Sequence, residues 1–176
     1  MHKQTKSFGF TIVELLIVVV VIAILAAITI VAYANFQNRA YDSAVKNDLS
    51  SAAKKLEVAK VDLGHYPRAS SEMPTGFKFS RSAYLITSNN ALYCFNHSRD
   101  EYALGAISKS GTGYMLTKSG IREGVTVTAV TVCGEVGTIW GGSPPEPRST
   151  MHGFFPGGES PGYYDDGWNA GWGWTN

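Results

Sequence analysis

Residues 10–34 form a run of twenty-five residues with no glycine, no proline and one charge, Glu14. As a helix rising ~1.5 Å per residue, such a run crosses a hydrocarbon layer about 30 Å thick. It is too long for the apolar core of a cleaved secretory signal, roughly 7–15 residues, and no small-residue cleavage site follows it. A membrane span is therefore expected over 10–34. Charge asymmetry does not orient it, because Lys3 and Lys6 precede the run while Arg39 and Lys46 follow closely. Glu14 itself demands an explanation. A carboxylate inside a membrane helix costs ~2.5–3.5 kcal/mol on insertion scales, so it normally has a partner or a task.

The remaining chain has room for one compact head. A formal net charge of +1 and a charged fraction of 16% argue against binding nucleic acid through bulk electrostatics, and no basic block stands out. Cys94 and Cys133 both follow the apolar run and so share one compartment. Outside the cell they form a disulfide. Otherwise they are two free thiols.

The junction at the start of the run is specific. In Lys6-Ser7-Phe8-Gly9-Phe10-Thr11-Ile12-Val13-Glu14, a glycine precedes an aromatic residue, and a carboxylate follows four residues later within an apolar helix. This closely resembles the processing site of type IV pilins and type II secretion pseudopilins, a resemblance extending from Lys3 to about Tyr66. It implies a short leader, 1–9, removed between Gly9 and Phe10 on the cytoplasmic face by a prepilin peptidase, and N-methylation of the freed Phe10 amine. The apolar helix is kept and packs with identical subunits and other pilins, after a pool held in membrane lipid meets an assembly platform. It places the protein in the cytoplasmic membrane as a single-pass subunit with its head outside, and in an extracellular pilus after assembly. Glu14 is then the assembly residue. The freed amine is a cation at a helix N-terminus, where the macrodipole disfavours it, and a carboxylate offsets that charge. Many pilins carry a proline in the apolar helix, whereas here Ile28-Thr29-Ile30-Val31 runs on unbroken.

The helix is expected to continue through 35–63 as an amphipathic segment. Tyr41, Val45, Leu49, Ala52, Leu56, Ala59 and Leu63 recur at steps of three and four, with Asp42 and Lys46 as an i,i+4 pair on the opposite face. Gly64 and Pro67 stop it. The head, 64–136, opens with a loop over 67–79. Strands are predicted at 83–87, 91–96, 102–108, 114–117 and 125–132, with turns at Ser88-Asn89-Asn90, Ser110-Gly111-Thr112-Gly113 and Gly120. The expected fold class is α+β, a long N-terminal helix laying its stripe on a small antiparallel sheet. A Cys94–Cys133 bridge closing a loop of about 40 residues would contribute about 4 kcal/mol through chain entropy.

The tail, 137–176, holds ten of the nineteen glycines, five of the seven prolines and all four tryptophans. This composition reads as loop or disorder. Its aromatics Trp140, Phe154, Phe155, Tyr163, Tyr164, Trp168, Trp172 and Trp174 fold back on the sheet, pack on a neighbouring subunit, or form a sticky surface for a glycan or partner protein. No nucleophile elbow or phosphate-cradling loop is present, and His2, His65, His97 and His152 are dispersed, so no enzyme, cofactor or metal site is expected. Cys94 with His97 is half of a zinc spacing, and Asp165-Asp166 reads as a solvated turn before a calcium contact. Three functions remain open. They are a structural pilus subunit serving adhesion, motility or DNA uptake, a secretion pseudopilin, and a monomeric membrane-tethered adhesive module.

Overall fold

The computed structural model describes residues 9–68, 72–74, 76, 78–85, 90–96 and 98–138, and the backbone of 152–154 and 173–174. Residues 1–8, Ser88, Asn89 and His97 lie outside the described residues. So do Trp140, Phe155, Tyr163, Tyr164, Asp165, Asp166, Trp168 and Trp172.

One helix, α1 (Ile12–Leu63), runs for 52 residues. It stops where the sequence predicts. Gly64 adopts φ +79° and donates its amide to the Lys60 carbonyl at 2.9 Å, a left-handed cap that glycine reaches without steric cost. The chain divides into two compact units, Met1–Gln37 and Asn38–Asn176.

In the second unit, Val45, Leu49, Ala52, Leu56 and Ala59 of α1 are buried, the stripe read from spacing, and Tyr41 is half-buried against the same core. Leu63, the last member of that stripe, is 40% exposed, and Tyr66 beyond the cap is buried instead. Asp42 and Lys46 do not pair with each other. Asp42 accepts from Ser110 Oγ at 2.5 Å, and Lys46 Nζ lies 2.5 Å from Glu123.

The stripe covers a sheet built from β2 (Asn90–Asn96), β3 (Glu101–Ile107), β4 (Gly113–Thr117), β5 (Gly120–Glu123) and β6 (His152–Phe154). Its order is β5-β4-β3-β2-β6, antiparallel throughout. A separate two-stranded parallel pair joins β1 (Lys78–Phe79) to β7 (Gly173–Trp174). Within the tail, therefore, the backbone of 152–154 and 173–174 is strand rather than loop.

Alternation along the strands produces two cores. Tyr93, Phe95, Tyr102, Leu104, Tyr114 and Leu116 face the α1 stripe. On the opposite side, Leu92, Cys94, Ala103 and Met115 pack with Val127, Val132, Cys133 and Val136. The second layer is where the sequence reading is corrected. The fifth strand is β5, so Gly120 opens a strand, and 125–132, read as a strand from its Val and Thr content, leads into a short helix, α2 (Ala129–Glu135).

Local chemistry explains the reversal. Thr128 caps α2 by accepting from the Thr131 amide, and Thr131 Oγ1 accepts from the Thr128 amide, two reciprocal bonds that outweigh weak β propensity. Gly105 then lets α2 close on the sheet. A Cβ there would run into Val132 Cγ2 and stand 2.9 Å from Val127 Cγ1. The Cys94–Cys133 disulfide, with Cα atoms 5.2 Å apart, ties α2 to β2. Buried Asn90 fastens the start of β2, donating to the Leu85 and Ile107 carbonyls and accepting from the Ile107 amide.

Two carboxylates hold α1 and its following loop to the head with opposite electrostatic consequences. Burial pushes the Asp48 carboxyl above its usual range, only partly countered by donation from the Ser80 amide at 2.7 Å and hydroxyl at 3.2 Å. Desolvation acts on Asp100 as well, but Lys60 Nζ at 2.8 Å and the Tyr66 amide at 2.9 Å outweigh it and hold its carboxyl below the usual range. Stability linked to Asp48 is present when it is protonated and is lost as pH rises from the unfolded value of 3.8 through the raised folded value. For Asp100 the stability is present above 3.8 and is lost as pH falls through the depressed value. Thermal unfolding of the full chain in micelles checks both signs. At neutral pH, Asp48→Asn raises the midpoint and Asp100→Asn lowers it, and both differences shrink on acidification. Midpoints that move together, or differences independent of pH, contradict the assignment.

Candidate functional site at the start of the apolar helix

Gly9, Phe10 and Thr11 are not helical, and α1 opens immediately after them. The Thr11 carbonyl accepts the first α-helical bond, from the Leu15 amide at 3.3 Å, which makes Thr11 the N-cap. Its hydroxyl accepts from the Glu14 amide at 3.2 Å. Glu14 reaches back, Oε2 accepting from the Thr11 amide at 2.9 Å and from the Thr11 hydroxyl at 2.7 Å. Thr11-Ile12-Val13-Glu14 is a capping box. The one carboxylate of the span thus satisfies an amide with no helical partner, in the first turn, where the macrodipole favours negative charge. The signal was readable in the sequence as Thr-x-x-Glu before an apolar run.

Around Gly9 a Cβ would meet nothing within 4 Å, and the Phe10 side chain is 85% exposed. Packing and backbone conformation place no demand for glycine at position 9. Along the helix, every large apolar side chain from Phe10 to Val31 is at least 44% exposed. This is the one stretch among the described residues that is long and apolar enough to span a membrane, and none of it is buried within the chain. Thr29 is compatible with that environment. Its hydroxyl bonds back to the Leu25 and Ala26 carbonyls at 2.8 and 3.0 Å, so no polar hydrogen is left facing hydrocarbon.

The other predicted residues fall elsewhere. Cys94 and Cys133 are brought together in the head as a disulfide, which removes the Cys94 sulfur from any pairing with His97 as zinc ligands. His65 Nδ1 stands 2.9 Å from the Tyr66 carbonyl oxygen and 3.9 Å from Glu72, a local loop contact.

Comparison with known proteins agrees with the position of this site. Residues 4–30 match the family described as the prokaryotic N-terminal methylation motif, a segment that includes Gly9, Phe10, Thr11 and Glu14. No curated protein and no solved structure matches the chain. The matched segment is the type IV prepilin and pseudopilin signal, and it opens a long apolar helix followed by an α+β head, features that support a membrane-anchored precursor of the type IV pilin and pseudopilin type.

Proposed function

We propose that this chain is a structural subunit of a type IV pilus. A prepilin peptidase cleaves it between Gly9 and Phe10, the Phe10 amine is methylated, and the mature subunit waits in the cytoplasmic membrane with its head outside. An assembly platform then polymerises it through α1, with copies of itself and other pilins, into a filament for adhesion, motility or DNA uptake. The supporting observation is the coincidence of the 4–30 motif with a glycine that the fold itself does not require. A residue with open space around it and no packing reason to be glycine is accounted for by a peptidase that needs close approach to the backbone.

Glu14 has two roles in this proposal, in sequence. In the membrane-held subunit it belongs to the capping box with Thr11. In the filament it offsets the cationic Phe10 amine, since a charge entering a low-dielectric core without its counter-charge is strongly disfavoured. The exposed apolar length of α1 supplies the rest of the drive, because subunit packing covers side chains that this chain leaves open.

Two substitutions separate the roles. Glu14→Gln keeps the capping box, which accepts Glu or Gln, and removes the charge. Membrane insertion and cleavage should persist while sheared surface filament falls at least tenfold relative to the membrane pool, read by immunoblot. Thr11→Ala keeps the charge and removes the cap, at a cost of about 1 kcal/mol at the helix start. That loss should lower filament yield only slightly. Normal filament from Glu14→Gln, with a severe loss from Thr11→Ala, would assign Glu14 to capping alone.

A further inference from the structure

We propose that Thr11 is a positioning residue for the cut between Gly9 and Phe10: its cap stops α1 short of the scissile peptide and keeps that peptide's carbonyl out of the helix. The inference rests on the cleavage proposed above and adds to it a residue that sets the shape of the substrate.

Hydrolysis adds water across one C–N bond, the hydroxyl going to the Gly9 carbonyl carbon and the hydrogen to the Phe10 nitrogen. The carbonyl must be open to attack. In a helix it would instead accept the amide four residues on, that of Val13, and lie packed against the first turn. A nucleated helix grows at one hydrogen bond per residue fixed, so a helix of 52 residues needs a specific reason to begin at Ile12 and not farther upstream.

Two diverted amides supply that reason. Continued upstream, the helix would send the Glu14 amide to the Phe10 carbonyl and the Thr11 amide to the Ser7 carbonyl. The Glu14 amide donates to the Thr11 hydroxyl at 3.2 Å, and the Thr11 amide donates to Glu14 Oε2 at 2.9 Å. The first helical acceptor is consequently the Thr11 carbonyl, which takes the Leu15 amide at 3.3 Å. No described amide donates to the carbonyl of Gly9 or Phe10. Both residues stay outside the helix, with open space around Gly9 and an exposed Phe10 side chain.

The sequence upstream shows what the cap competes against. Gly9 and Ser7 are the next residues of the types that begin helices. A helix capped at either one takes the Gly9 carbonyl as an acceptor and closes the scissile peptide into its first turn. Phe10, between them and Thr11, has no side-chain acceptor to cap with. Thr11 is thus the cap nearest the cut that leaves the Gly9 carbonyl free.

The test uses the full precursor in detergent micelles. Single-turnover cleavage by a purified prepilin peptidase is read by intact mass as loss of residues 1–9, and the Cα chemical shifts of Gly9 and Phe10 report helicity without any enzyme. Thr11→Ala should raise the ratio of helical to non-helical chain at Gly9 and Phe10 about fivefold, the weight of one cap. Cleavage should slow by the fraction of non-helical chain that the shifts show to be lost. Thr11→Asn caps without a hydroxyl, and should keep the wild-type shifts and rate. Unmoved shifts in Thr11→Ala would overturn the proposal, as would moved shifts with an unchanged rate. Slow cleavage of Thr11→Asn with wild-type shifts would assign Thr11 to direct contact with the peptidase and also overturn it. A wild-type precursor left uncut between Gly9 and Phe10 would remove the cleavage reading along with this role, whereas equal cutting of wild type and Thr11→Ala would remove the role alone.

Discussion

The hydrophobic surface of residues 12–34 is the constraint on which the rest depends. A helix apolar on all sides satisfies its own backbone hydrogen bonds but leaves its side chains without cover, and none of the described residues supplies that cover. The segment must enter lipid or pack against like helices, and both solutions are available to the same surface. At its start, that surface requires a helix end that does not leave amides bare in hydrocarbon. Thr11 and Glu14 meet the requirement through their reciprocal bonds.

The head solves the opposite problem, burying both faces of a small sheet. One face takes the α1 stripe, so the membrane helix and the core of the head share a single element. The other face takes α2, a seven-residue helix too short to be stable alone. Three features compensate for its length: the Thr128–Thr131 cap, close approach over Gly105, and the Cys94–Cys133 bond. The bond spans 39 residues and joins the first sheet strand after the loop to the last helix before the tail. Burying its sulfurs in the second core also keeps them from outside chemistry.

Periodicity carried most of what could be read in the sequence. The helix stop at Gly64, the buried stripe from Val45 to Ala59, and strands β2, β3 and β4 follow from spacing and turn residues. Three features depended on information that spacing does not contain. In 125–132, β-branched content suggests a strand, whereas two threonine side chains and a distant glycine make the following segment a helix. Asp42 and Lys46 have helical spacing for a pair, yet Ser110 and Glu123 from the sheet compete successfully for them. Leu63 has the right phase, but α1 stops beside it and Tyr66 occupies the core. At the candidate site, Gly9, Phe10 and Glu14 were legible as a motif. The role of Thr11 was not read there, although Thr-x-x-Glu before an apolar run carries the signal; its bonds to Glu14 show it as a cap.

In the proposed function the apolar helix is retained, with a new N-terminus at Phe10, in an extracellular polymer. Intact mass of the subunit sheared from the cell surface tests this directly, with thiol alkylation before and after reduction. The expected result is a chain beginning at Phe10, heavier by one methyl group on its amine, with neither Cys94 nor Cys133 alkylated until reductant is added. A surface protein that retains residues 1–9, or one that has lost the apolar segment, would contradict it.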